Sequence, residues 1–154
     1  MATNSFAEEL KEGYGRIAAC LSDDELKLVS RARDPINTSP VERNRLLAQI
    51  VCAYRIGSKP HWGPVILDLL APTLILILQG LRPEPPAIDE EEIRQQLVAE
   101  TLRAAATVPL LDGGLQTRFR LTSRAYTRML RWLAREGRRR RRQVPFDRCV
   151  ELHR

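Results

Sequence analysis

Apolar residues recur at helical spacing along nearly the whole chain, and cap signals separate the stretches. Ser5-Phe6-Ala7-Glu8 and Ser22-Asp23-Asp24-Glu25 each place a hydroxyl three residues ahead of a carboxylate, the reciprocal arrangement that caps a helix start. They predict a first helix near 5–20 and a second near 23–33. Asp34-Pro35-Ile36-Asn37-Thr38-Ser39-Pro40 is a turn-rich connector, because its prolines and short polar residues disfavour continued helix. Ser39-Pro40 then opens a third helix, with Leu46, Leu47, Ile50, Val51 and Tyr54 on one face, up to Gly57. Ser58-Lys59-Pro60 breaks it. An apolar helix from His61 to Leu81 follows, with a kink expected at Pro72, where an internal hydrogen bond is lost.

Arg82-Pro83-Glu84-Pro85-Pro86 reads as a stiff linker. A fifth helix starts at Asp89, its acidic first turn (Asp89, Glu90, Glu91, Glu92) suited to the positive end of a helix dipole. Ile93, Leu97 and Leu102, with Ala99, Ala105 and Ala106, form its apolar stripe, and Pro109 with Asp112-Gly113-Gly114 ends it. The last helix is predicted from about Gln116 to about Gln143, stopped by Val144-Pro145. No internal repeat and no strand pattern competes. The expectation is an all-α protein: a compact bundle of about six helices with a long, arginine-rich last helix. Three parts are expected: residues 1–60 as an N-terminal helical segment, 61–143 as the main helical unit, and 144–154 as a short tail.

Composition narrows the chemistry. At 154 residues one domain is the default, and with 44% hydrophobic but only 5% aromatic residues the core must be built from Leu, Ile, Val and Ala. Cys20, Cys52 and Cys149 form no CxxC and no even framework, which fits a reducing cytoplasm rather than a disulfide-stapled secreted domain. The N-terminus is acidic and lacks the apolar core of a signal peptide. The longest apolar run, Val65 to Leu78, holds Asp68 and Pro72 and reads as a buried core helix rather than a membrane span. His61 and His153 are the only histidines and sit in no zinc-binding spacing, so no metal is expected. With no GxSxG, no phosphate-binding loop and no Cys/His pairing, neither catalysis nor a cofactor is expected.

Charge changes the picture most. Residues 1–114 carry 12 Lys+Arg against 16 Asp+Glu, whereas residues 115–154 carry 13 Arg against 3 acids. A basic end on an acidic chain points to a polyanionic partner. At about 100° per residue, Arg120, Arg124, Arg128, Arg131, Arg135, Arg138 and Arg142 fall within a sector of about 80°. Phe119, Thr122, Tyr126, Met129, Leu130 and Leu133 collect opposite and are expected to face the core. Trp132 lies at the edge of the arginine ladder, where it offers a stacking surface for a base.

The order of these segments resembles conserved region two of bacterial RNA polymerase sigma factors, the small extracytoplasmic-function type in particular. Asp89-Glu90-Glu91-Glu92-Ile93-Arg94-Gln95-Gln96-Leu97-Val98 is similar, without a gap, to the D-A-E-D-L-V-Q-E-V-F pattern of that family. Leu67 to Leu74 is similar to its apolar first helix, and Phe119-Arg120 to Arg142 to its promoter-contacting helix. The resemblance spans roughly residues 61–143. Glu92 stands where the family has Asp, the family's early Trp is missing near Leu121-Thr122, and only eleven residues follow Gln143, too few for the family's helix-turn-helix domain.

The resemblance implies a transcription regulator with two surfaces. Asp89, Glu92, Gln95 and Gln96 would dock on the clamp helices of the large subunit of core RNA polymerase. Arg120, Arg124, Arg128, Arg131 and Arg135, with Tyr126 and Trp132, would hold promoter DNA through phosphate forks and base stacking. A second protein would then supply recognition of the upstream promoter element. Two other classes stay open: a DNA-binding protein without polymerase contact, and a protein-interaction module that engages a sigma docking site or an acidic partner.

Overall fold

The computed structural model describes residues 2–57, 61–81, 88–110 and 112–152, with side chains described for 5–57, 61–81, 88–110 and 113–142. The protein is all-α. Its helices are α1 (Ala2–Ala18), α2 (Asp23–Arg33), α3 (Pro40–Ile56), α4 (Trp62–Gly80), α5 (Glu90–Thr107) and α6 (Thr117–Leu152), with a short 3₁₀ turn, Asp112–Gly114, before α6. No strand occurs among the described residues.

Local chemistry sets most of these boundaries. Ser22 accepts from the Glu25 amide while Glu25 accepts from the Ser22 amide, so both orphan donors at the start of α2 are satisfied. Ser39 accepts from the Glu42 amide, and Pro40 fills the first position of α3, where no N–H is needed. Gly57 ends α3 in the left-handed conformation, φ 74°. Asp89 caps α5 through the Glu91 amide. Arg55 on α3 closes the other end of α5 by donating to the carbonyls of Ala105 and Val108.

Two boundaries differ from the sequence expectation. Ser5 does not cap α1: the helix begins at Ala2, and the Ser5 hydroxyl instead accepts from Arg94 of α5. At the other end α6 does not stop at Val144-Pro145 but continues to Leu152. Proline forfeits one backbone bond yet already holds a helical φ, so a helix can run through it at a cost of about 3 kcal/mol. α4 likewise runs as one helix through Pro72. The 58–60 break, the 82–86 linker and the side chain of Cys149 lie outside what is described. Cys20 and Cys52 are exposed, unpaired thiols.

α4 organises the bundle. By length and composition it is apolar enough to cross a membrane, and here it is the central core helix, touching each of the other five. Val65, Ile66, Leu70 and Leu74 are fully enclosed by side chains from all sides, including Phe6 and Leu10 of α1, Val29 of α2, Ile50 and Val51 of α3, Leu97 of α5, and Leu121 and Met129 of α6. This single hydrophobic cluster draws on residues before and after position 60 alike. Asp68, on the same helix, is served by Arg33 of α2, whose guanidinium also lies over the Tyr14 ring, 4.6 Å from its centroid.

Candidate nucleic-acid interface

α5 and α6 lie antiparallel, as the ion pairs across their seam require. Glu92 meets Arg140 at 2.7 Å, and eight residues further along α5 Glu100 meets Arg128, twelve residues back along α6, at 3.7 Å. Glu100 is only 3% exposed. It lies at i+7 from Ile93 and i+3 from Leu97 on the apolar face of α5, so a carboxylate replaces an apolar contact where α6 packs. A charge so placed needs partners. Gln96 donates to Glu100 Oε1 at 3.0 Å and Arg103 approaches the same oxygen at 3.4 Å. Glu100 Oε2 and Arg128 Nη1 are both buried without a hydrogen bond, so their attraction is purely that of an ion pair.

Above this carboxylate opens a cleft of about 570 Å³ lined by Glu100, Arg103, Arg128, Arg131, Arg135 and Arg138, with Ala134 as its small wall residue. Five guanidinium groups therefore surround one carboxylate. Arg131, Arg135 and Arg138 are exposed and recur at i, i+4 and i+7, one above the other along α6. A second arginine group forms on the same helix, where Glu136 pairs with Arg139 at 2.8 Å and with Arg140 at 3.6 Å. The Arg139 hydrogen bond holds the Glu136 carboxyl below its ordinary pKa, and the same bond raises that of Arg139.

The residues expected at the DNA surface divide into three groups. Arg131 and Arg135 form the cleft wall, and Arg128 forms its floor. Arg124 is exposed further toward the start of the helix, and Arg120 is half-buried with its Nε unpartnered. Trp132 packs partly against the core. Tyr126 stands apart from all of these. The packed face of α6 is Leu121, Thr122, Ala125 and Met129, whereas Phe119, Tyr126 and Leu130 are 67%, 41% and 46% exposed. The expectation that Phe119, Tyr126 and Leu130 face the core is therefore corrected: the buried stripe is rotated by about a quarter turn toward the arginines. Leu121, Ala125 and Met129 follow each other at i, i+4 and i+8, and all three are fully buried.

The residues expected at the polymerase surface also divide. Asp89 and Gln95 are exposed, Asp89 capping its helix and Gln95 donating to Glu91 at 3.4 Å. Glu92, however, reaches α6, where Arg140 donates to it, and Gln96 donates along its own helix to Glu100, the carboxylate buried in the seam. The two surfaces thus share one seam rather than lying apart. Sequence reasoning missed Glu100 and Arg103. A carboxylate on the Ile93–Leu97–Ala104 stripe was the available signal, since such a residue demands a cation from whatever helix covers it. Among the described residues no group of His, Cys, Asp and Glu could hold a metal ion. In comparison with known proteins, no family model, no curated protein and no solved structure matches the chain.

Proposed function

We propose that the protein binds nucleic acid in the arginine cleft between α5 and α6 and acts as a sigma-region-two-like regulator of transcription. One observation carries the reading. Five arginines converge on a cleft that needs only one cation to balance Glu100, and the excess positive charge is held in a row facing solvent. Holding like charges together opposes folding and suits a surface that receives a polyanion. From Arg131 to Arg138 the helix rises about 10 Å, enough to follow consecutive phosphates of a single strand. Trp132, beside the row, would add stacking.

The test is fluorescence anisotropy on a fork-junction oligonucleotide over a salt series. If Arg103, Arg131, Arg135 and Arg138 neutralise four phosphates of a single strand, log affinity falls against log salt with a slope of roughly −3. Arg131→Ala or Arg135→Ala makes the slope shallower by less than about one unit each. Trp132→Ala lowers affinity with the slope nearly unchanged, because stacking of about 1–3 kcal/mol per base releases no counterions. Salt-insensitive binding, or binding indifferent to both arginines, overturns the reading.

Core RNA polymerase as a partner rests on the segment order around Asp89–Val98, and promoter DNA with it. Gln95→Arg, on the outer face of α5 and outside the seam, should abolish co-purification with core polymerase while leaving the far-ultraviolet circular dichroism unchanged. The engagement of Glu92 by Arg140 and of Gln96 by Glu100 favours the narrower alternative of nucleic-acid binding without polymerase. On that alternative, core polymerase fails to co-purify and anisotropy is unaffected by Gln95→Arg.

A further inference from the structure

On another side of α6, its first turn meets α3 across a small cavity of about 110 Å³. Arg43, Asn44 and Arg118 supply its polar wall, and Ala32, Leu47 and Leu69 close it with apolar surface. The approach is fixed by the turn before α6. Gly114 has φ 89°, and a Cβ there would lie 2.7 Å from the Cβ of Ala48 on α3, so only glycine lets the two segments come this close. The Arg118 amide then donates to Asn44 Oδ1 at 2.9 Å, and Asn44 Nδ2 donates to the Pro40 carbonyl at 3.0 Å.

The two guanidinium groups that face this cavity are tied to the protein by backbone carbonyls alone. Arg43 Nη1 donates to the carbonyls of Asp34 and Thr38, and Arg118 Nη2 to the carbonyl of Leu69. Neither makes an ion pair among the described residues, and no carboxylate lines the cavity. Asp34 acts on Arg43 only at a distance, because its carboxylate accepts from the amides of Ile36 and Asn37 and from the Asn37 side chain. Burial, and secondarily the charge of Arg43, hold Arg118 below the ordinary arginine pKa. Two neighbouring half-buried cations, neither in an ion pair among the described residues and with Asp34 acting on Arg43 only at a distance, leave an excess of positive charge that an anion would complete.

We infer that this cavity is a binding site for one tetrahedral phosphate group, gripped by the free edges of the Arg43 and Arg118 forks. Planar guanidinium forks match phosphate oxygens in pairs, and the N-terminal ends of α3 and α6 add favourable potential at the same point. The volume admits a single phosphoryl group and excludes a nucleoside. The group is therefore either free inorganic phosphate or the terminal phosphate of a nucleotide whose remainder stays outside. This site is separate from the α5–α6 cleft and stands or falls independently of it.

Isothermal titration calorimetry in a chloride buffer, with inorganic phosphate and then adenosine 5′-monophosphate as probes, tests the inference. The intact protein takes up one phosphate saturably, with a melting temperature that rises with phosphate concentration. Arg118→Gln weakens binding by about tenfold or more, through loss of a charged fork. Asn44→Asp provides a second variant that keeps the acceptor for the Arg118 amide. It gives up the bond from Nδ2 to the Pro40 carbonyl and sets a fixed negative charge beside both guanidinium groups, so phosphate binding weakens at least about tenfold while the far-ultraviolet circular dichroism is unchanged. Arg131→Ala with Arg135→Ala leaves phosphate binding unchanged. Tighter binding of the monophosphate than of phosphate assigns the nucleotide as source, and equal or weaker binding assigns the free anion. Absence of saturable binding by the intact protein overturns the inference. So does unchanged binding by Asn44→Asp, or loss of binding in the Arg131→Ala, Arg135→Ala variant.

Discussion

Replacing Glu100 by Gln should move stability and nucleic-acid affinity in opposite directions. The carboxylate is 3% exposed and faces Arg128 at 3.7 Å and Arg103 at 3.4 Å. Removing one partner of a fully buried pair costs about 3–5 kcal/mol. Here the cost is smaller, because Arg103 is 61% exposed and keeps its water, Arg128 is 25% exposed although its Nη1 is buried, and the amide oxygen of Gln still accepts from Gln96. About 1–2 kcal/mol remains, which for a chain of this size lowers the melting temperature by about 2–8 °C. Binding responds with the other sign. At about 7 Å in water a carboxylate repels a phosphate by roughly 0.6 kcal/mol, and two phosphates in the cleft feel it together. Affinity should rise about three- to tenfold, since 1.4 kcal/mol is tenfold, and the salt slope should steepen as Arg128 is freed to meet a further phosphate. Urea denaturation followed by circular dichroism measures the first effect, and anisotropy over a salt series the second. A variant that is destabilised yet binds with unchanged affinity and unchanged slope would show that nucleic acid does not enter this cleft.

Two further predictions follow from packing and burial. Met129→Ala should cost about 2–5 kcal/mol by denaturant titration whereas Leu130→Ala, its exposed neighbour, changes stability by less than about 0.5 kcal/mol; equal losses would contradict the face assigned to α6. Burial raises the Asp68 pKa above 3.8 and the ion pair with Arg33 only partly opposes it, so the folded chain holds that proton more tightly than the unfolded one. The contribution of Asp68 to stability therefore falls as pH rises from 3.8 through its folded pKa. Asp68→Asn should remove this decline and be no less stable than wild type at pH 7, and a variant clearly weaker than wild type at pH 7 would show that the ion pair outweighs burial.

Features encoded within a few residues could be read from the chain. The Ser22–Glu25 box, Ser39-Pro40 and Asp89 each satisfy orphan amides locally, so their helices begin where the sequence places them. Ser5 fails as a cap because its neighbours Ala2 to Asn4 extend the helix, and Arg94, 89 residues away, takes its hydroxyl. The arginine ladder was visible because it needs only one helical projection. Its partner surface was not, since Glu100 and Arg103 belong to another helix and nothing in the α6 sequence states which face that helix covers. α6 carries two apolar stripes, Leu121–Ala125–Met129 and Phe119–Tyr126–Leu130. Side-chain size favours the second, yet the first is the one buried, because which stripe is covered depends on where the other helices lie and not on α6 alone. The Arg43–Arg118 cavity lay furthest from view, joining residues 75 positions apart through a glycine turn.

The central position of α4 has a consequence for how the chain is made. This helix is apolar enough for a bilayer, and a ribosome releases it before α5 and α6 exist to cover it. Chain order puts α1, α2 and α3 outside the ribosome first, and all three touch α4 in the finished bundle. At roughly 5–20 residues per second, the 72 positions from the end of α4 to the end of α6 take about 4–14 s to follow. For the first 27 of those positions, before α5 is complete, the N-terminal helices are the native cover that α4 has. α1, with Phe6 and Leu10 ready to dock, then works as a shield supplied in advance, and a chain translated without it would leave one face of α4 open to chaperones, membranes and other nascent chains.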